Sequence, residues 1–295
     1  MTLTRRHALS LMGAALALPQ CSRSSNAIRV GSKNFTEAFV IGEIYAQALE
    51  RAGMTVERRF NLGSVQIAMS ALEHDDIDLY PEYTGTGLIE VLHELPMRDV
   101  QRMYRTVKRA YAKRYDLVWL DPSPMNDSQG LATTQAVSQK YDLKTLSQLA
   151  RLAPQLRLAA IHEFLGRPDA LPGLQKFYGG FHFKEVKAYD IGLKYEALLH
   201  GDADVATAFT TDGQIGADNL VLLRDDKHFW PPYNVAPVVR AAALRRYPKI
   251  AAVLDGIAPF ITDDAARHMN YAIDHGKRDP ADVAAAFLKA HPTPA

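Results

Sequence analysis

From Ile28 onward, short apolar runs alternate with amphipathic stretches at helical spacing, and that alternation restricts the chain to an α/β architecture. "AIRVGS" has the character of a short strand and leads into Lys33-Asn34-Phe35-Thr36-Glu37. Asn34 with Glu37 three residues later fits a helix start of capping-box type. Phe39, Val40, Ile44, Ala48 and Leu49 then recur at helical spacing, and Gly53 supplies the stop. "VERRFNL" alternates as a half-buried strand does, Val65 to Leu72 reads as a short helix, and "IDLY" as the next strand. Met97 to Tyr115 predicts a longer amphipathic helix, followed by the strand "LVWL". "LRLAAI", "FKEVKAY" and "ADVATAF" continue as strands, with helices "LPGLQKFYG" and "LKYEALLH" between them. "VAPVVR" is a last strand before two or three C-terminal helices. Mainly parallel sheets are expected from this order, and no internal repeat is visible.

Two turn-rich segments interrupt the pattern, "DPSPMNDSQG" at 121–130 and "HFWPPYN" at 228–234. They divide the chain into three blocks. The simplest arrangement is two α/β lobes, with 28–127 and 231–295 forming the first and 128–230 the second. Such a chain crosses between lobes twice, which creates a hinge and a cleft, and ligands commonly lodge where domains meet. A length of 295 residues suffices for two cores. The formal net charge is only +1 and the Lys and Arg residues are dispersed, so no nucleic-acid partner is expected.

The first 27 residues differ from the rest. "MTLTRRHALSLMGAALALPQC" has a basic start and an apolar run from Ala8 to Leu18, which is an export signal too short for a membrane span. Thr4-Arg5-Arg6-His7-Ala8-Leu9 looks like a twin-arginine signal, although Ala8 stands where a bulkier residue is usual. Cys21 is the sole cysteine, which excludes an intramolecular disulfide, and its place in or at the edge of the signal effectively excludes a cysteine-dependent enzyme. Its position after the apolar run resembles a bacterial lipoprotein attachment site, but Gln20 departs from the small residue normally before it. The alternative is cleavage near Ser25-Asn26-Ala27, releasing a free protein. Either way the mature chain is expected in the periplasm, with a lipid anchor as one route to the membrane.

Motifs for catalysis are missing. His74, Asp75, Asp76, Asp78 and Glu82 make a dense acidic cluster, but a helix-to-strand transition scatters them and no metal-ligand spacing appears. His162-Glu163 is no stronger, and neither a metal nor a cofactor is expected. There is no Gly-x-Ser-x-Gly elbow and no phosphate-cradling glycine loop. Aromatic placement is more informative. Tyr80, Tyr83, Phe209 and Tyr233 each fall at a strand end or a lobe boundary, and ligands in open α/β sheets gather beyond the carboxyl ends of strands. One such ring is ordinary packing. Several converging from different blocks suit a cationic ligand, each contact contributing about 0.5–2 kcal/mol once desolvated.

"VGSKNFTEAFVIGEIYAQALE", "ALEHDDIDLYPEYTGT", "EFLGRPDALPGLQKFYG", "AFTTDGQI" and "PPYNVAPVVR" together resemble, in this order, the solute-binding receptors of ABC importers for glycine betaine, choline and related osmoprotectants. The resemblance implies a non-enzymatic, two-lobed periplasmic-binding fold, type II-like, that closes on its ligand and presents it to a membrane permease. Motif by motif it implies Lys33 as a cleft-facing cation, Tyr83 and Tyr233 as cage walls, Thr86 as a hydroxyl, and Arg167 facing a ligand carboxylate. Two positions depart from the family pattern, because Gln129 and Phe209 stand where relatives often carry cage tyrosines. The expected ligand is therefore a glycine betaine, choline or carnitine type of solute, with an amino acid or polar amine receptor as the runner-up. An exported hydrolase or a sensor domain is the outlying alternative. Tyr80 lies further back in its strand than Tyr83 and is expected to be packing.

Overall fold

The computed structural model describes residues 26–292, so the expected export signal and Cys21 lie outside the described residues. Two five-stranded sheets form among the described residues. The first contains β1 (Ile28–Gly31), β2 (Val56–Arg59), β3 (Leu79–Tyr83), β4 (Leu117–Trp119) and β10 (Val235–Arg240), in the order β2-β1-β3-β10-β4. The second contains β5 (Gln129–Thr133), β6 (Arg157–Ile161), β7 (Glu185–Tyr189), β8 (Val205–Phe209) and β9 (Val221–Leu222), in the order β7-β6-β8-β5-β9. The chain is thus α/β and two-lobed, one sheet to each lobe.

The sheets are mixed, not mainly parallel. β1 runs parallel to β2 and β3, and β6 parallel to β7 and β8, as strand–helix–strand units require. β10 is antiparallel to β3 and β4, and β5 is antiparallel to β8 and β9. Each of these reversed strands reaches its sheet directly from the other lobe. β5 was hidden in the sequence, because Gln-Gly-Leu-Ala-Thr offers little β-branched character and abuts a proline-rich turn. Its pairing with β8 along all five residues overrides that weak local preference.

The helix Thr36–Arg51 forms where expected, but without the capping box. Phe35 is the N-cap residue and makes no side-chain cap. Glu37 is buried and claimed by other partners, Tyr83 and Asn270. The apolar face of this helix (Val40, Ile41, Ile44, Leu49) packs with Ile28 and Val30 of β1, Val235 and Val239 of β10, and Phe287.

Although the sequence shows no repeat, the two lobes carry the same clasp at equivalent places. Arg29 in β1 donates its backbone N–H (2.8 Å) and Nε (3.0 Å) to Asp78 Oδ2, and its Nη2 (2.8 Å) to Oδ1. Arg157 in β6 does the same to Asp204, at 2.8, 3.0 and 3.0 Å. Both aspartates immediately precede the strand that stands third in their sheet, β3 or β8, and donate their own N–H back to the arginine carbonyl, at 2.7 and 2.9 Å. The planar guanidinium and the carboxylate fix strand register as a bidentate pair. Asp78 also meets Arg240 at the end of β10, and Asp75 pairs with both arginines, which accounts for half of the acidic cluster at 74–82.

The clasps should differ in strength, because the Asp78 side chain is 8% exposed and that of Asp204 is 22% exposed. Asp78→Ala is expected to lower unfolding free energy by about 2–3 kcal/mol and Asp204→Ala by about 1 kcal/mol. Urea denaturation of the two variants against the parent measures both.

Candidate ligand cleft

Between the lobes lies a cleft of about 510 Å³. It opens beyond the carboxyl ends of β1, β3, β6 and β8, and the reversed strands contribute their amino ends. The structure brings all the sequence-derived candidates to it: Lys33, Tyr83 and Thr86 from the first lobe, Gln129, Arg167 and Phe209 from the second, and Tyr233 from the second crossing. Tyr80 is fully buried beneath, its hydroxyl donating to Glu82 at 2.8 Å, and does not line the cleft.

The motif "YTGT" owes its composition to the returning chain. Thr84 N–H donates to the Asn234 carbonyl at 3.0 Å, and Asn234 N–H donates to Thr84 Oγ1 at 3.1 Å. Tyr233 is thereby laid against Gly85, where an added Cβ would come within 2.5 Å of the ring. Asn126 of the first crossing accepts the Tyr233 N–H at 2.6 Å and bridges to Asn234. Asn234 Nδ2 in turn donates to the carbonyls of Ser123 and Met125, at 3.2 and 3.1 Å. The two crossings therefore lie side by side as one hinge.

Lys33 and Arg167 of the cleft, and buried Lys194 beside its Phe209 wall, each rest on a carboxylate. Lys33 Nζ donates to Glu82 at 2.6 Å and stands 4.6 Å from the Tyr83 ring centre. Lys194 Nζ donates to Asp212 at 2.9 Å and stands 4.5 Å from the Phe209 ring centre. Both rings thus already have an ammonium beside them. Arg167 donates Nε (2.9 Å) and Nη2 (2.6 Å) to Asp169, and its Nε lies 3.5 Å from Glu90 across the cleft. Burial opposes the Arg167 charge, but Asp169 outweighs it and holds the guanidinium above its ordinary value. Asp169, fully buried, also accepts Gln129 Nε2 at 3.0 Å and the Tyr233 hydroxyl.

Two further carboxyl groups have no ion pair among the described residues. Glu37 accepts the Tyr83 hydroxyl at 2.6 Å and Asn270 Nδ2 at 2.9 Å. Asp127, which lines the cleft, accepts the Thr211 hydroxyl at 2.6 Å. Burial pushes both up from the usual carboxyl range, and the Glu37 charge pushes Asp127 further. Burial also raises the Tyr83 and Tyr233 hydroxyls well above the ordinary phenol value, so both remain donors.

Glu37, Asp127, Asp169 and Asn270 were not singled out in the sequence as cleft groups. Asp169 stands in the same "GRPD" motif as Arg167, and Asp127 stands two residues before Gln129, which was the available signal. Glu37 and Asn270 lie far apart in the chain and meet only through folding.

Residues 26–290 match the substrate binding domain of ABC-type glycine betaine transport systems. The chain belongs to this family. It is 34% identical over 275 residues to a glycine-betaine-binding protein of Pseudomonas aeruginosa, covering 90% of this chain and 88% of that one. It is 32% identical over 282 residues to an ergothioneine transport permease/ergothioneine binding protein of Helicobacter pylori, covering 95% of this chain but spanning only 50% of that longer protein. A solved structure described as a glycine betaine/carnitine/choline ABC transporter superposes with a TM-score of 0.75 at 30% identity, covering 90% of this chain and 98% of that one. A glycine betaine transport substrate-binding domain is a receptor and not an enzyme, which disposes of the hydrolase alternative.

Asp127 yields a pH test. Its carboxyl is raised in the folded state, so the folded protein holds a proton that the unfolded chain releases above ~3.9. Stability from this group is therefore lost as pH rises from there through the folded value. Asp127→Asn keeps an acceptor for Thr211 and removes the charge. It should melt higher than the parent at pH 8, with the difference closing toward pH 4, as thermal melts across that range will read. A constant difference would place the titration elsewhere.

Proposed function

We propose that the cleft binds a betaine-type or related quaternary-ammonium solute, and that lobe closure presents this solute to the membrane permease of an ABC importer. One observation carries the ligand class. The rings of Tyr83, Tyr233 and Phe209 line one cleft together with Asp127, the Tyr83 hydroxyl rests on buried Glu37, and neither carboxyl group has an ion pair with a lysine or arginine among the described residues. A permanent cation that sheds little hydration suits aromatic faces backed by acids whose ionised form it would favour. Lys33 and Arg167 each retain N–H groups beyond those given to Glu82 and Asp169, and with the Thr86 hydroxyl they can receive a carboxylate at the other end of the solute.

The relatives support the class without fixing the member. One is named for glycine betaine and another for ergothioneine, itself a betaine. Export by the leader, a position outside the cytoplasm, and an optional anchor at Cys21 belong to the same proposal. No described helix is long and apolar enough to cross a membrane.

Titration calorimetry against glycine betaine, choline and carnitine tests the assignment, and silence across the panel, extended to larger betaines, would sink it. Tyr83→Ala and Tyr233→Ala should each weaken the best ligand about tenfold or more, since each removes a ring worth ~1–2 kcal/mol and uncovers a buried carboxylate. Gly85→Ala should weaken it as well, by displacing the Tyr233 ring that rests on that glycine. Unchanged affinity in all three variants would show that the solute binds elsewhere.

A further inference from the structure

Gln129 begins β5 and lines the cleft while only 6% exposed. Its amide nitrogen donates to Asp169 Oδ2 at 3.0 Å and reaches the Tyr233 hydroxyl at 3.4 Å. Asp169 already receives Arg167 through both carboxylate oxygens and can only accept. The amide therefore cannot be turned over, because that would set its carbonyl against a carboxylate. Orientation being fixed, Gln129 Oε1 faces away from Asp169, and no described residue donates to it. The nearby donors are engaged: the Tyr83 hydroxyl on Glu37, the Tyr233 hydroxyl on Asp169, and the Thr211 hydroxyl on Asp127 Oδ1. Gln129 Oε1 thus stands in the cleft without a protein donor among the described residues and keeps its water only until a solute seals the cleft, when an acceptor left unpaired becomes costly.

Resting on the receptor reading above, we propose that the cleft selects quaternary-ammonium solutes that carry their own hydrogen-bond donor, a hydroxyl or a ring N–H a few bonds from the charged nitrogen, with Gln129 Oε1 as the acceptor that reads it. A compact solute without a donor, such as glycine betaine, would leave this carbonyl dry and unpaired. It would also underfill a cleft of about 510 Å³, a size within the ~300–1,000 Å³ of pockets for larger ligands. A site built around a polar group discriminates sharply against the analogue that lacks it, because its own buried partner is then stranded.

Matched pairs isolate the donor. Carnitine and γ-butyrobetaine differ only in a hydroxyl, and hercynine differs from its ring-N-methylated form only in the ring N–H. Calorimetric titration of the processed protein should show the donor-bearing member of at least one pair binding about tenfold tighter or better. Which pair responds separates the hydroxyl from the ring N–H. In Gln129→Met, which keeps length but has no strong acceptor, that preference should fall to about twofold or less. Equal affinity within both pairs overturns the inference while leaving the receptor assignment standing, as does a preference that survives in Gln129→Met. If no quaternary solute binds at all, the receptor assignment fails and this inference with it. Should Gln129→Met not fold, the paired titrations of the parent alone decide.

Discussion

The pairing of β10 with β3 is the contact on which the cleft depends. β10 returns from the second lobe and sets Val235 opposite Tyr83, so that the residue two places earlier, Tyr233, is delivered onto Gly85. The same register lets Thr84 and Asn234 exchange two hydrogen bonds, and lets Asn126 hold the Tyr233 backbone. Two aromatic walls of the cleft are therefore placed by one strand pair. A slip of one residue would turn Tyr233 away and reverse every side chain on β10.

The electrostatics of the cleft follow from burial. Every lysine or arginine discussed there lies against a carboxylate, since a buried charge without a partner is far too costly to keep. What remains is an excess of acid under the rings, held by neutral donors from tyrosine, threonine and asparagine. Cation-attracting faces and acceptor-rich walls are two expressions of that excess. Arg167 shows the limit of reading such a site from residue type. The chain places this arginine at the cleft, but only the fold reveals that Asp169 takes two of its nitrogens and links it to both Gln129 and Tyr233.

Much of the fold was legible because its parallel units announce themselves in strand–helix alternation, and strands β1, β6, β7 and β8 stand where the apolar runs lie. β5 was not legible, since its stability comes from partners distant in sequence and not from its own residues. The capping box failed for a related reason. Asn34 and Glu37 have the right spacing, yet the Glu37 carboxyl is better satisfied by Tyr83 and by Asn270, more than two hundred positions away. Cleft-facing rings and cations could be found by their positions at strand ends and by resemblance. The acids that neutralise them could not, because local sequence does not reveal which carboxylate will be buried beside which charge.

The exchange of a reversed strand between lobes also sets an order for assembly. All five strands of the second sheet lie within residues 129–222, so that lobe is complete once this stretch is available. The first sheet cannot close until β10 arrives, because among the described residues β4 pairs only with β10, and without it β3 presents a bare edge. An open edge is a template for pairing with another chain. A polypeptide shortened before residue 235 would thus carry one finished lobe and one aggregation-prone half-sheet, and the contacts that close the first lobe are the slow, long-range kind.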